Sequence, residues 1–353
     1  MILTAEKNIK QYLIVPHTGN MQPVAADLGI KNNVVHFYGW MKVMGVHQPP
    51  KQMIRRTLRN LLAVFQICNT IRREKITAVF TNTSTVNVGA LAAKLMRKKH
   101  YWYIHELGEE DFGIALPKGI SSVKKMNKLS EKLFSNSNFL LQKYENLVPE
   151  IKMSVLRNPV LIRNNNVKIR GFHKHDVHLL MLGQITEAKG QQSAIEALHL
   201  VKIEGYSVTL NIIGSAHDEQ YLQSLYILVE KYSLQTEVYF KAHTNSPEQS
   251  IADNNILLMC SRCEAYGRVT VEAMKLGVPV IGANSGGTAE IITNGESGLI
   301  FRNNDSQSLA EAIILLITDD ELRNHIISGA LNRAKEVSGP EDFYAFLDSL
   351  LTA

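Results

Sequence analysis

Apolar and polar positions along the chain follow two rhythms. Short runs rich in Val, Ile, Leu, Phe and Tyr alternate with longer runs whose apolar residues recur every three or four positions, the patterns of strands and amphipathic helices. In the first half the strand-like runs are QYLIV (11–15), NVVHFY (33–38), TAVFTN (77–82), YWYIH (101–105), KLFSNS (132–137) and KMSVLR (152–157). Helical patterns fall at 51–73, 84–97 and 121–131. A polar stretch, IRNNNVKIRGFHKHD (162–176), then reads as a linker. Beyond it come VHLLMLG (177–183), SVTLNIIG (207–214), EVYF (237–240), NILLMC (255–260), VPVIGA (278–283) and SGLIF (297–301), with helices between them and three more closing the chain.

Wholly apolar strands that alternate with helices predict parallel sheets covered on both faces. The expected fold class is therefore α/β, with two doubly wound, Rossmann-like domains at 1–165 and 166–338. A final helix, EDFYAFLDSLL, lies in the remaining segment, 339–353. The start breaks the pattern. ILTAEKNIK reads as the tail of a helix ahead of a strand, so the first domain is expected to lack its first strand and the glycine-rich turn after it.

Composition narrows the class. The 353 residues, 45% hydrophobic and 20% charged, are those of a water-soluble globular chain long enough for two cores. No apolar run reaches membrane-spanning length, and MILTAEKNIKQ lacks a signal-peptide pattern. Three cysteines are too few for a disulfide framework, which suits the cytoplasm. The net charge of +5 conceals a division: residues 1–170 carry 26 Lys+Arg against 10 Asp+Glu, and residues 171–353 carry 12 against 23. A basic first half is drawn to an anionic partner such as a membrane surface, a nucleic acid or a phosphorylated substrate.

The densest chemistry lies in SRCEAYGRVTVEAMKLGVPVIGANSGG (261–287). NILLMC delivers the chain to the carboxyl edge of a parallel sheet, where α/β ligand sites form. A helix from about Arg268 to Leu276 follows, with Gly277 at its cap and Pro279 forbidding its continuation. Its first turn offers free N–H groups and partial positive charge to a phosphate. Glu264 stands in the loop before the helix and Glu272 on its second turn, so one acid can reach each end of an elongated ligand. A nucleotide sugar has that layout of sugar hydroxyls, diphosphate and ribose diol.

This stretch resembles the donor-binding region of the retaining glycosyltransferases of family 4, which have the GT-B fold. The likeness rests on the E-x7-E pair Glu264 and Glu272, the strand GVPVI, the turn GGTAE (Gly286–Glu290) and NGESGLIF. Upstream, LGQITEAKG is similar to the family's G-R-x(4)-K-G segment, with Gly183, Lys189 and Gly190 in place. In the first half it is thinner, resting on YIHE (His105, Glu106), SNSNF and RNPV. The resemblance implies two Rossmann-like domains facing each other across a cleft, with the last helix crossing back to the first domain.

It also implies roles. Glu264 would contact donor-sugar hydroxyls, Lys189 the diphosphate, and His105 the sugar from across the cleft; these are the implied catalytic residues. Donor binding would use Gly183, Gln184, Lys189, Ala265, Tyr266, Gly267, Arg268, Val269 and Glu272, the last on the ribose diol. Phe240, Lys241 and Ala242 would lie at the base. The donor would be a nucleotide diphosphate sugar, UDP ahead of GDP or ADP, with no cofactor and no metal, since the chain has no D-x-D. The acceptor implied is lipid-linked or a glycan precursor, as in polysaccharide assembly. Two positions depart: Gln184 stands where the family has arginine, and Ala242 where glycine is common. With the missing opening unit, they motivate an alternative, a nucleotide-sugar-binding partner subunit without transfer activity.

Other groupings read as structural. Cys260 and Cys263 have C-x-x-C spacing, but there is no second pair to complete a zinc site and no helix start directly behind them. His173, His175 and His178 lack an accompanying carboxylate pattern. The helix from Lys51 to Arg73 sets Ile54, Leu58, Leu61, Leu62 and Phe65 beside Arg55, Arg56 and Arg59. That pattern suits a core-packed helix with a solvated basic face. Taken with 96–102 and 118–128, it also suits a patch for anionic lipid headgroups. The basic runs have no interleaved aromatics, which argues against nucleic acid. The expected location is thus cytoplasmic and peripheral on the inner membrane face.

Overall fold

Tyr12–Val15 (β1) and Lys31–Val34 (β2) pair in parallel, Tyr12 opposite Lys31, with a helix at Met21–Asp27 between them. This β–α–β unit corrects the expectation that the first domain lacks its first strand and turn. The run QYLIV is itself a first strand, and residues 16–20, with Gly19, turn it into a helix. The helix escapes a pattern reading because it has seven residues, Pro23 near its start and no capping side chain. The expected helix tail at the chain start falls largely on residues 1–8, outside the described residues.

The computed structural model describes residues 9–46, 49–162 and 168–351. Most of the expected linker's polar core, 163–167, therefore lies outside it. Two compact units divide the chain: Met1–Arg157 with Pro340–Ala353, and Asn158–Gly339.

In the first unit, Lys42–Val43 (β3) is followed by a long helix, Pro50–Arg73. Pro at the first helical position and no Gly or Pro further in favour its length; Lys75, at φ 54°, turns the chain away. Ala78–Thr81 (β4), Lys99–Ile104 (β5), Ile114–Ala115 (β6), Lys132–Ser135 (β7) and Met153–Val155 (β8) follow. Strands β4, β5, β7 and β8 form a parallel sheet in that order, and β3 pairs antiparallel with β6. Helices Val88–Leu95, Ile120–Leu129 and Asn138–Leu147 connect the sheet strands. The last begins where Ser137 Oγ accepts from the Leu140 amide at 3.1 Å, which is why KLFSNS ends as a strand at Ser135. The helix Glu341–Leu351 packs Phe343, Phe346 and Leu350 on Tyr101, Tyr103, Phe134 and Leu156.

The long helix is turned the other way from a core-packed reading of its leucines. Its buried face is Ala63, Val64, Ile67 and Ile71, against Val35, Val88 and Ala92, while Ile54, Leu58, Leu61, Leu62 and Phe65 are exposed.

The second unit is built on one parallel sheet. Its strands are Val177–Leu182 (β9), Val208–Ile213 (β10), Val238–Lys241 (β11), Ile256–Met259 (β12), Val280–Ala283 (β13) and Leu299–Phe301 (β14). Their spatial order is β11-β10-β9-β12-β13-β14. One face packs on helices Gln191–Ile203, Glu219–Lys231 and Ser306–Thr318, and the other on Arg268–Lys275 and Asp320–Ser338. Continuous burial along β12 and β13 explains why their sequences carry no polar alternation.

Candidate active site

The strand order of the second unit reverses between β9 and β12. From β9 the chain works outward through β10 to β11, and from β12 through β13 to β14. The carboxyl ends of two such central strands diverge, which leaves a crevice lined by the loops that leave them. Residues 183–190 leave β9 and residues 260–267 leave β12. The two candidate segments therefore meet because the fold has its switch point there.

Their contact is close. After β9 a tight turn, Glu187–Lys189, ends at Gly190 with φ 72°. A Cβ on Gly190 would stand 2.2 Å from the Cys260 carbonyl oxygen, so only glycine lets the turn lie against the end of β12. The Arg262 amide donates to Ala188 O at 2.9 Å and its guanidinium to Glu187 Oε1 at 2.6 Å. With the turn held in this way, Lys189 Nζ forms an ion pair with Glu264 Oε1. Ser261 Oγ donates to the same oxygen at 2.7 Å.

The paired glycines of GGTAE complete the support. Gly287 N donates to Glu264 O at 2.7 Å. A Cβ on Gly286 would lie 2.4 Å from that oxygen, and one on Gly287 2.6 Å from Tyr266 Cα. The helix Gly286–Ile291 thus presses its backbone on the loop that carries Glu264.

The helix Arg268–Lys275 begins directly after this loop, with Gly267 at its cap. Arg268, on the first turn, reaches Glu272 on the second at 3.3 Å. Ala265 and Tyr266 turn their side chains into the core, and Val269 is partly buried beside them. Tyr266 Oη donates to Val337 O at 2.5 Å. Lys275, at the far end of the helix, donates to Val160 O at 2.5 Å. Val160 and Val337 stand two or three residues from the points where the chain enters and leaves the second unit. The candidate helix is therefore tied to both crossings.

Lys189, Arg262 and Arg268 each face an acid, Glu264, Glu187 and Glu272 respectively. An incoming anion could replace the acid at each of these three cations. Gln184 adds none; its carbonyl accepts from Gln191 Nε2 at 2.9 Å. Phe240 and Lys241 end β11, two strands from β9, and Ala242 follows them. Gly214 N donates to Lys241 O and Gly183 N to Ile213 O, both at 3.0 Å, so this group follows Gly183 along the same sheet edge. Phe240 packs on Tyr226, with ring centroids 4.7 Å apart.

His105 belongs to the first unit, at the carboxyl end of β5. Its Nε2 lies 2.8 Å from Asn82 Oδ1, and its ring packs at a tilt on Tyr103, with centroids 4.1 Å apart. The neighbouring Glu106 accepts from Thr83 Oγ1 at 2.5 Å, Ser84 N at 3.0 Å and Ser84 Oγ at 2.9 Å. Sequence reasoning missed Ser261, Arg262, Thr83 and Ser84 as supports. The signal for the last two was present, a polar TNTST placed directly after an apolar strand. Cys260 and Cys263 form no disulfide, and burial pushes the Cys260 thiol up to about 12, so it is not a reactive thiolate.

The chain has the GT-B fold, and residues 162–333 match the family described as glycosyl transferases group 1. The structure of Anabaena HepE in complex with UDP and glucose superposes with a TM-score of 0.79 at 19% identity, covering 99% of this chain and 94% of HepE. Among curated relatives, the capsular polysaccharide biosynthesis glycosyltransferase CapM of Staphylococcus aureus is 29% identical over 170 residues. That match spans 48% of this chain and 44% of CapM. An uncharacterized 41.2 kDa protein in the cps region of Klebsiella pneumoniae is 25% identical over 293 residues, 74% of this chain and 76% of that protein.

Proposed function

We propose that this chain is a glycosyltransferase that moves a sugar from a UDP-sugar to a lipid-linked or glycan-precursor acceptor in polysaccharide assembly. The observation that carries the reading is the Lys189–Glu264 ion pair at the switch point, set beside the start of the helix Arg268–Lys275 with Glu272 on its second turn. The resemblance of this region to retaining glycosyltransferases of family 4 and the UDP and glucose bound to HepE support it.

On this reading the diphosphate lies at the helix mouth, where free amides and the helix dipole favour an anion. Lys189 leaves Glu264 for the diphosphate and stabilises charge that grows on the leaving group. Glu264, freed, accepts from sugar hydroxyls; Glu272 takes the ribose diol, and Phe240–Ala242 flank the base. With anomeric configuration retained, the donor's own diphosphate takes the acceptor proton, so neither a protein nucleophile nor a metal is needed. The basic first unit binds a phosphate-bearing acceptor, and the chain works at the inner face of the cell membrane.

The alternative of a binding subunit without activity drew mainly on a missing opening unit, and the β1–helix–β2 unit occupies that place. The test is turnover: the purified chain should release UDP from a UDP-sugar, faster with acceptor, and Glu264→Ala should lower the rate by about 10²-fold or more. Intact donor binding with no turnover under any acceptor would favour the subunit.

A further inference from the structure

The helix Pro50–Arg73 carries two apolar faces, and the fold uses one of them. Ala63, Val64, Ile67 and Ile71 enter the core. Ile54, Leu58, Leu61, Leu62 and Phe65 are each 57–65% exposed. On a pitch of 100° per residue these five fall in an arc about 100° wide, on the side away from the buried face. Ahead of the helix, Val43 at the end of β3 and Met44 and Val46 after it are also about half exposed.

The surroundings say what could cover this stripe. No Asp or Glu occurs between Asp27 and Glu74, while the same stretch holds eight Lys and Arg. Exposed Arg55 and Arg59 run along one flank of the stripe, and exposed Lys51 stands at its N-terminal end. Arg56 is held differently: it donates to Gly39 O at 2.6 Å, and Asn60 bonds the backbone of Tyr38 at 2.8 and 3.0 Å, so the helix is fastened with the stripe outward. A second copy of the chain would bring two acid-free basic stretches together, an arrangement that like charges oppose. Among the described residues no helix is long and apolar enough to cross a membrane. An exposed apolar stripe with a cationic flank on a helix too polar to span a bilayer fits a surface that is anionic outside and apolar just beneath.

We propose that the helix Pro50–Arg73, together with Val43, Met44 and Val46, is a docking surface for an anionic lipid bilayer. The helix lies in the interface plane, with Ile54, Leu58, Leu61, Leu62 and Phe65 at the acyl boundary and Lys51, Arg55 and Arg59 among the headgroups. This deepens the proposed function, since it would bring the chain to a lipid-linked acceptor, but the surface is read from the first unit alone.

The test is flotation of the full chain with vesicles of phosphatidylcholine, with and without phosphatidylglycerol. The expected result is binding to the phosphatidylglycerol vesicles that weakens as salt rises. Leu58→Asp with Leu62→Asp should lower binding by at least about tenfold. Arg55→Glu with Arg59→Glu should abolish the preference for phosphatidylglycerol. Both pairs are exposed, so circular dichroism and melting temperature should match the unaltered chain. UDP binding on the same preparations keeps this proposal separate from the donor-site reading. Equal flotation of wild type and variants, or none by the wild type while UDP still binds, would overturn the docking surface. So would a wild-type dimer that the leucine variants convert to monomer without any vesicle binding.

Discussion

Lys189 and Glu264 stand 75 positions apart in sequence and form one ion pair, with Ser261 on the same carboxylate oxygen. In the free chain, then, the cation assigned to the diphosphate is held by the acid assigned to the sugar. The pair is part-buried, so releasing either partner has consequences. Glu264→Gln removes the competitor for Lys189 while keeping the shape of the side chain. UDP should bind this variant at least as tightly as wild type, whereas turnover should fall by about 10²–10³-fold. Calorimetry and a UDP-release assay on the same protein separate the two effects.

Backbone contact at the paired glycines is the next point of strain. Gly286→Ala puts a methyl 2.4 Å from Glu264 O at a φ of 58°, so both overpacking and a left-handed backbone oppose it. The expected cost is about 2–4 kcal/mol in urea unfolding, with a loss of donor affinity as the Glu264 loop shifts. Gly295→Ala, at φ 77° with nothing within 4 Å of its Cβ, should cost only the conformational part, about 1–2 kcal/mol.

His100 makes the first unit sensitive to acid. It is buried on β5 between Thr81 Oγ1 at 2.8 Å and Ser130 Oγ at 3.0 Å, and burial lowers it from 6.5 to about 4. Between those values the unfolded chain binds a proton that the folded chain refuses, so stability rises with pH across this window. The contribution, on the order of 3 kcal/mol, should be present above pH 6.5 and lost as pH falls toward 4. Melting curves of the wild type should show that slope, and His100→Gln should flatten it.

Tyr266 joins the candidate loop to the chain crossing through its bond to Val337 O. Tyr266→Phe leaves that buried carbonyl without the hydroxyl donor, at a cost of about 1–2 kcal/mol in thermal unfolding. Because the ring itself remains in the core, donor binding should change by less than about threefold.

Legibility of the sequence followed punctuation. The stretch from β12 to β14 could be read because apolar strands, Gly277, Pro279 and the glycine pair mark each boundary, and the acids stand on either side of one helix start. The contacts that bring Lys189 to Glu264 were not visible, since they depend on the strand order and on how closely Gly190 approaches Cys260. The opening unit was misread because Met21–Asp27 is too short to show a period. Periodicity revealed an apolar stripe on Pro50–Arg73 but could not say which face meets the core. Small Ala63 and β-branched Val64, Ile67 and Ile71 fit closely there, and the larger Leu58, Leu61 and Phe65 are left outside.

The central claim is that a UDP-sugar lies at the mouth of the helix Arg268–Lys275 with Glu272 on its ribose. Titration of UDP into the wild type and into Glu272→Ala tests this most directly. Saturable one-to-one binding by the wild type, weakened at least about tenfold in the variant, is the expected result. Absence of binding at millimolar UDP, or equal affinity in both proteins, would contradict it.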